Sequence, residues 1–557
     1  MPTKLNVLLV ASEAAPLAKT GGLADMVSTF GAALCDAGVA ASILMPAYPG
    51  ALARVPGATR VAKLTGLPGG DGVIIRARMP DTGLSVLLLQ MNHLYHREGI
   101  YCDSHGRDYV DNLMRFASLS AAAARIARGV PGIKRPNVVH AHDWHTGLTP
   151  LFMKLDGVQS RSVFTIHNLA FQGNYPLAAG ASIGVPPELL APALLDERSI
   201  EFYGSLSMLK AGIVHAEQVT TVSERYAQEI LTPRFGHRME GVLNALTRKL
   251  CGITNGIDMQ TWNPVNDPLI ASNYSFSNMA GKYSCKRALQ QAFGLASEPL
   301  VPLVAMGSRL TEQKLAEVVA EAIPTMLARH ERLQFAILGQ GDALIERRMR
   351  ELAAKWPGRV GTCIGYDETL AHMLHAGADM LLHASRFEPC GLTQLYAMRF
   401  GTIPVASRVG GLACTISDYA LKPGKSAAAN GFLFEGETVE AITEATGRAI
   451  DAFENPCLWR ALQRNAMTRD SGWGAAVQRY IDLYCGLTDA RPAKTRPLTA
   501  LRPERDQHKP GGLARSVTLM RWSPRIARWR KHNRLITARG SLRRSSGTRL
   551  DRTSGSS

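Results

Sequence analysis

The chain has 557 residues, 46% of them hydrophobic, with 51 Gly and 30 Pro; this is too long for one ordinary core and too apolar for a disordered protein, and it predicts two large domains. Its net charge of +17 is confined to one end: residues 489 to 557 hold 18 Lys and Arg against 4 Asp and Glu, and the 488 residues before them carry only +3, so the basicity does not describe the body's substrate. No apolar run reaches the ~18 residues of a membrane span, and a first strand that starts by residue 5 leaves no signal peptide expected, which places the protein in the cytoplasm.

From the N-terminus, LNVLLVA (5 to 11), the helix-like GLADMVSTFGAALCDAG (22 to 38) and VAASILMPAY (39 to 48) alternate, with Gly or Pro at each break. That alternation predicts βαβ units and a parallel sheet. It continues through GLSVLLLQM (83 to 91), an Ala-rich helix at 116 to 129, NVVHAHD (137 to 143), RSVFTIHN (161 to 168) and EQVTTVSE (217 to 224). TNGIDMQTWNP (254 to 264) and the polar stretch to about 285 read as a linker. A second series follows: LVPLVAMGSRL (300 to 310), LQFAILGQG (333 to 341), RVGTCIGY (359 to 366), ADMLLHAS (378 to 385) and TIPVAS (402 to 407), with helices expected over 314 to 329 and 342 to 355. The organisation expected is α/β: an N-terminal Rossmann-like domain over 1 to 258, a second doubly wound domain over 259 to 465, a final helical segment over 466 to 488 and a basic disordered tail over 489 to 557. A polyanion- or nucleic-acid-binding arm is the functional reading of that tail, and a solvated extension the plainer and preferred one. Nine cysteines at irregular spacing without a CxxC read as reduced thiols rather than a disulfide framework or zinc site.

Open parallel sheets bind ligands beyond the carboxyl ends of their strands, so the residues just after each strand matter most. KTGGLADM (19 to 26) stands between the first strand and its helix; Gly21 and Gly22 let backbone N–H groups approach an anion and Lys19 adds a cation. The stretch fits neither GxGxxG nor GxxxxGK[ST]. GGLA recurs at 410 to 413 and, without flanking strand or helix signals, at 511 to 514. GSRLTEQK supplies Arg309 and Lys314, two cations suited to a diphosphate. RFEPCGLTQLYAMRFG (386 to 401) places Glu388 beside the free N–H groups of a probable helix start. HAHDWHTG (140 to 147) is spaced H-x-H-D-x-H, which does not match the metal-hydrolase pattern. No Asp-x-Asp pair occurs, so Lys and Arg are left to meet leaving-group charge.

Taken in order, KTGGLADM, HAHDWHTGL, TIHNLAFQG, TNGID, SRLTEQK, GYDE, SRFEPCGLTQLYAMRFG and GGLACT closely resemble the bacterial glycogen synthases, the starch-synthase type that uses ADP-glucose, over residues 4 to 487. The resemblance implies a GT-B architecture, two Rossmann-like domains facing a cleft with the last helix crossing back to the first domain. It implies transfer of glucose from ADP-glucose to the 4-hydroxyl of an α-1,4-glucan such as glycogen, with retention, no cofactor and no metal. Carried over by residue, Lys19 meets the donor, Arg309 and Lys314 take the diphosphate, and Glu388 lies near the donor glucose. The N–H groups of Gly391, Leu392 and Thr393, beside Cys390, receive phosphate. His167 lines the reaction centre, Asp143 and Asn255 are further polar groups, Tyr366 neighbours the adenine and Tyr95 is another donor contact. The chain departs from the family pattern at His96, Glu98, Leu315, Glu317 and Cys414. A transferase using UDP-glucose and a non-catalytic glucan-binding paralogue are the rival readings.

Overall fold

A computed structural model describes residues 4–192, 197–419 and 427–489. The expected tail, from residue 490 on, and the third GGLA inside it lie outside the described residues.

The first domain is built on Asn6–Val10 (β1), Ala40–Pro46 (β2), Thr59–Leu67 (β3), Gly70–Arg78 (β4), Ser85–Gln90 (β5), Val138–His142 (β6) and Arg161–Ile166 (β7). A small sheet follows from Asn174–Pro176 (β8), Glu201–Phe202 (β9) and Ser205–Ser207 (β10), and Gln218–Thr221 (β11) and Leu250–Gly252 (β12) complete the large one. The large sheet has nine strands in the order β12-β11-β7-β6-β1-β2-β5-β4-β3. β1 sits at its centre with all five residues buried, the continuous apolar run of a strand covered on both faces. It pairs in parallel with β2 and β6.

One expectation is corrected here. The sheet is not parallel throughout: β3, β4 and β5 pair antiparallel. Residues 59 to 78 gave no apolar run because an edge hairpin keeps one face in water, and β3 is accordingly mostly exposed, with only Leu64 and Leu67 buried.

The second domain carries Leu303–Gly307 (β13), Gln334–Gly339 (β14), Val360–Ile364 (β15), Met380–His383 (β16), Ile403–Ser407 (β17) and Phe432–Phe434 (β18). Its six strands run in the order β15-β14-β13-β16-β17-β18, all parallel. β13 lies between β14 and β16, so the chain reverses its direction of winding there, and the loops after β13 and β16 bound the crevice such a reversal opens.

The polar stretch expected as a linker is partly a packed seat. Trp262 is buried and stacks between His372 (centroids 4.0 Å apart) and Tyr396 (3.8 Å), and Asp267 lies 2.6 Å from the same His372. The final helix, Gly474–Leu487, packs on the first domain: Phe30 meets Tyr480 at 4.6 Å, Trp473 donates to Thr29 at 2.9 Å, and Tyr484 lies 2.7 Å from His140 Nδ1. This return ties the end of the second domain back to the first.

Candidate active site

The second domain supplies a buried charged cluster. β16 ends at His383, and the turn after it presents Ser385 and Glu388. Glu388 Oε2 accepts from Lys314 Nζ and from Ser385 Oγ (2.9 Å), and lies 3.1 Å from His383 Nε2. The far nitrogen of His383 is 3.1 Å from Thr393 Oγ1. Burial alone would raise the Glu388 carboxyl, but the Lys314 charge and the His383 contact reverse this and hold it below the usual carboxylate range. Glu388 is therefore an anion at neutral pH. Lys314 and Glu388, 74 residues apart in sequence, meet.

Arg309 is exposed and bonds Gln313 at 3.2 Å, and Gln313 in turn donates to the Phe387 carbonyl at 3.3 Å, so Arg309 stands beside the same loop. Leu315, where the family pattern has glycine, adopts the left-handed conformation (φ +47) and is fully buried in the second domain's core. Its strain of about 1–2 kcal/mol is offset by a buried leucine's ~1.5–3 kcal/mol, and Lys314 keeps its place. Glu317 pairs with Arg386 at 2.7 Å.

Gly391 also has positive φ (+70), and a Cβ there would fall 2.4 Å from Gln394 Oε1. The Gln394 amide donates to the Cys390 and Gly391 carbonyls at 3.1 and 2.8 Å, which turns the loop into the helix Thr393–Arg399. The buried Cys390 thiol is pushed up to about 12 by desolvation, so it packs rather than reacts.

The first domain contributes the loop after β1. Glu13, only 2% exposed, accepts from Thr20 N (2.5 Å) and Thr20 Oγ1 (2.9 Å) and so fixes the turn into Gly21 and Gly22. Desolvation pushes its carboxyl up to about 7. Lys19 pairs with Asp25 at 3.0 Å and, across the domain boundary, with Glu368 at 3.3 Å, its Nζ 5.6 Å from the centroid of the Tyr366 ring. Burial works against its charge, but the two carboxylates outweigh it and raise the ammonium above its ordinary value. Tyr366 is 64% exposed, leaving its ring open to a ligand. A Cβ on Gly22 would lie 3.3 Å from Leu392 Cδ1: the two predicted phosphate loops face each other.

His167, half-buried at the end of β7, lies 3.1 Å from His142, and desolvation pushes it down to about 3, so it is a neutral imidazole. Asp143 has φ +63 and a carboxyl pushed up to about 7 by burial, against the N–H groups of Asn168, Trp144 and His167. Oδ1 of Asp143 and Oδ1 of Asn255 are buried without a protein partner, as polar atoms awaiting water or ligand are. His140 engages both ring nitrogens, with Tyr484 (2.7 Å) and Thr165 (2.6 Å), and is a core residue.

Tyr95 is a correction. It is fully buried, and its hydroxyl donates to the Arg115 carbonyl at 2.7 Å. It backs Tyr48, whose hydroxyl donates to Ser12 O at 3.0 Å, and so supports the Glu13 loop from behind. An aromatic at the end of a four-residue helix, Asn92–Tyr95, gives no sequence signal of which way it turns. Sequence reasoning also missed Glu13, His383, Ser385 and Gln394. The last three lie within or beside the RFEPCGLTQ stretch, where dense polar residues after a strand were the available signal.

Two α/β domains with facing cationic and glycine loops define a GT-B glycosyltransferase. The starch synthase catalytic domain family matches residues 6–245, and the glycosyl transferases group 1 family matches residues 291–463. The glycogen synthase of Bordetella petrii is 47% identical over 504 residues, covering 90% of this chain and 96% of that one. That of Burkholderia thailandensis is 49% identical over 489 residues, covering 87% and 91%. The catalytic domain of starch synthase IV from Arabidopsis thaliana, solved bound to ADP and acarbose, superposes with a TM-score of 0.78 at 31% identity, covering 87% of this chain and 99% of that one. The chain belongs to the glycogen synthase family and has its glycosyltransferase activity. Among the described residues no helix is long and apolar enough to cross a membrane.

Proposed function

We propose that the protein transfers glucose from ADP-glucose to the non-reducing 4-hydroxyl of an α-1,4-glucan, with retention and without a metal or other cofactor, and that it does so in the cytoplasm. The observation that supports this reading is the meeting of Gly22 with Leu392 and of Lys19 with Glu368 across the domain boundary, which sets the Lys19 loop against the loop that carries Glu388, the partner of Lys314. The ADP and acarbose named for the Arabidopsis enzyme agree with a nucleotide and a glucan-like chain there. As the glycosidic bond breaks, ADP gains negative charge and the glucose becomes cation-like. The lysines and Arg309 oppose the first, and the anionic Glu388 the second. Neutral His167 hydrogen-bonds sugar hydroxyls rather than competing for phosphate. Closing the domains keeps water from the donor.

The test is incorporation of labelled glucose into glycogen from ADP-glucose and from UDP-glucose. ADP-glucose is expected to be the better donor, and Lys314→Ala to lower kcat about 10²- to 10³-fold, equivalent to ~2.7–4 kcal/mol. Preference for UDP-glucose overturns the donor assignment. Glycogen binding without turnover of either donor supports the non-catalytic reading instead.

A further inference from the structure

Past His167 the chain enters the small sheet β8-β10-β9, which displays a side chain the fold does not need. β9 and β10 are joined through Tyr203 and Gly204, both left-handed (φ +49 and +82), as the two central residues of a type I′ hairpin turn are. Asn, Asp or Gly suits the first of those positions; a bulky ring there is strained. Burial does not compensate, because Tyr203 is 63% exposed.

The ring is instead held by a second strained segment. The Arg238 guanidinium lies 3.6 Å from its centroid, and both His237 (φ +47) and Arg238 (φ +69) are left-handed. Three of the five non-glycine residues with positive φ among the described residues thus belong to this one surface. The other two, Asp143 and Leu315, lie in the candidate active site or adjoin its Lys314. Gln172 pins the segment by donating to the His237 carbonyl at 2.9 Å. The His237 ring packs edge-on against Phe387 at 4.9 Å, next to Glu388 in sequence. Strain of this kind persists where the surrounding structure enforces it, and it gathers at ligand sites.

We propose that Tyr203 and Arg238 form an acceptor subsite that holds a glucose ring of the glucan chain away from the bond being made. A pyranose has an apolar face of C–H groups and a rim of hydroxyls. The open face of Tyr203 covers the first and leaves the second to solvent, while Arg238, stacked on the other face, fixes the ring in that orientation. The inference rests on the glucan-acceptor reading above.

Tyr203→Asn tests it, because asparagine is what the turn prefers. The melting temperature should equal or exceed that of the unaltered protein. The glycogen concentration for half-maximal rate should rise about three- to tenfold, retardation in glycogen-containing native gels should weaken alike, and KM for the donor and for maltose should not follow. Tyr203→Trp should restore the glycogen values. Unchanged half-saturation and retardation in a folded Tyr203→Asn protein overturn the subsite, as does an equal loss for maltose or for the donor. Gel retardation needs no turnover, so a chain that binds glycogen through Tyr203 but transfers no glucose keeps the subsite and sinks the proposed reaction.

Discussion

At residues 21 to 24, GGLA opens the 15-residue helix Gly22–Asp36, which has no side-chain cap, and a Cβ on Gly21 would meet nothing within 4 Å. At residues 410 to 413 the same four residues open the six-residue helix Gly410–Thr415, and there a Cβ on Gly410 would fall 1.9 Å from the Glu388 carbonyl oxygen and one on Gly411 2.0 Å from that of Cys390. The N–H of Gly410 already donates to Glu229 of the first domain, at 2.9 and 3.1 Å to its two oxygens. The first copy thus keeps its space and its N–H groups for a ligand. The second uses the missing side chains to let backbone pack on the Glu388 loop, with a carboxylate of the chain itself where an anion would bind. Cys414 fits this arrangement: an aspartate there would add a carboxylate beside Glu224 and Glu229. Identical glycine pairs therefore serve recognition in one place and packing in the other.

That contrast can be broken by substitution. The largest effect is expected for Gly410→Ala, which meets both positive φ (+41) and a backbone clash. Urea unfolding should show a loss of about 3 kcal/mol or more, whereas Gly21→Ala, in extended backbone with open space, should stay within about 1 kcal/mol. Equal losses would erase the distinction. Next, Lys19→Ala beside the first copy should cost about a hundredfold in kcat/KM, ~2.7 kcal/mol, with little change in melting temperature. Kinetics and calorimetry on one preparation decide it.

Glu13, which braces the first copy, sharpens the comparison through pH. Its carboxyl is raised from 4.5 to about 7, so the folded state holds a proton that the unfolded state has released. Its contribution to stability is full below pH 4.5 and falls by up to about 1.4 kcal/mol per pH unit as pH rises to 7. The difference between wild type and Glu13→Gln, followed by urea midpoints from pH 4.5 to 8, should show that slope and then level off. A smaller change, about 1–2 kcal/mol of stability, is expected from Glu229→Gln, which keeps the shape but weakens the charge-assisted bond to Gly410. Smallest is Glu368→Gln. Glu368 is 44% exposed, and its pair with Lys19 should contribute about 0.2–1 kcal/mol; loosening it frees Lys19, so KM for the donor should fall slightly, measured by initial rates.

Much of this molecule is legible without coordinates. The apolar runs of β1, β13 and β16 and the glycines behind them announce two α/β domains, because local periodicity and turn chemistry depend on neighbours in sequence, and the family resemblance carried by KTGGLADM, SRLTEQK and RFEPCGL implies a sugar-nucleotide transferase. The edge hairpin β3–β4 escaped because one of its faces is wet and its pattern is weak.

Contacts between distant segments were decided only by the fold. Nothing in the sequence says that Lys314 reaches Glu388 rather than solvent, that Tyr95 turns inward while Tyr203 stands out, or that Glu229 fills the second GGLA and leaves the first open. Each outcome depends on which backbone and which charge arrive from the other side. Desolvation and close approach, the forces that set these carboxylate and imidazole charges, exist only once the chain has folded.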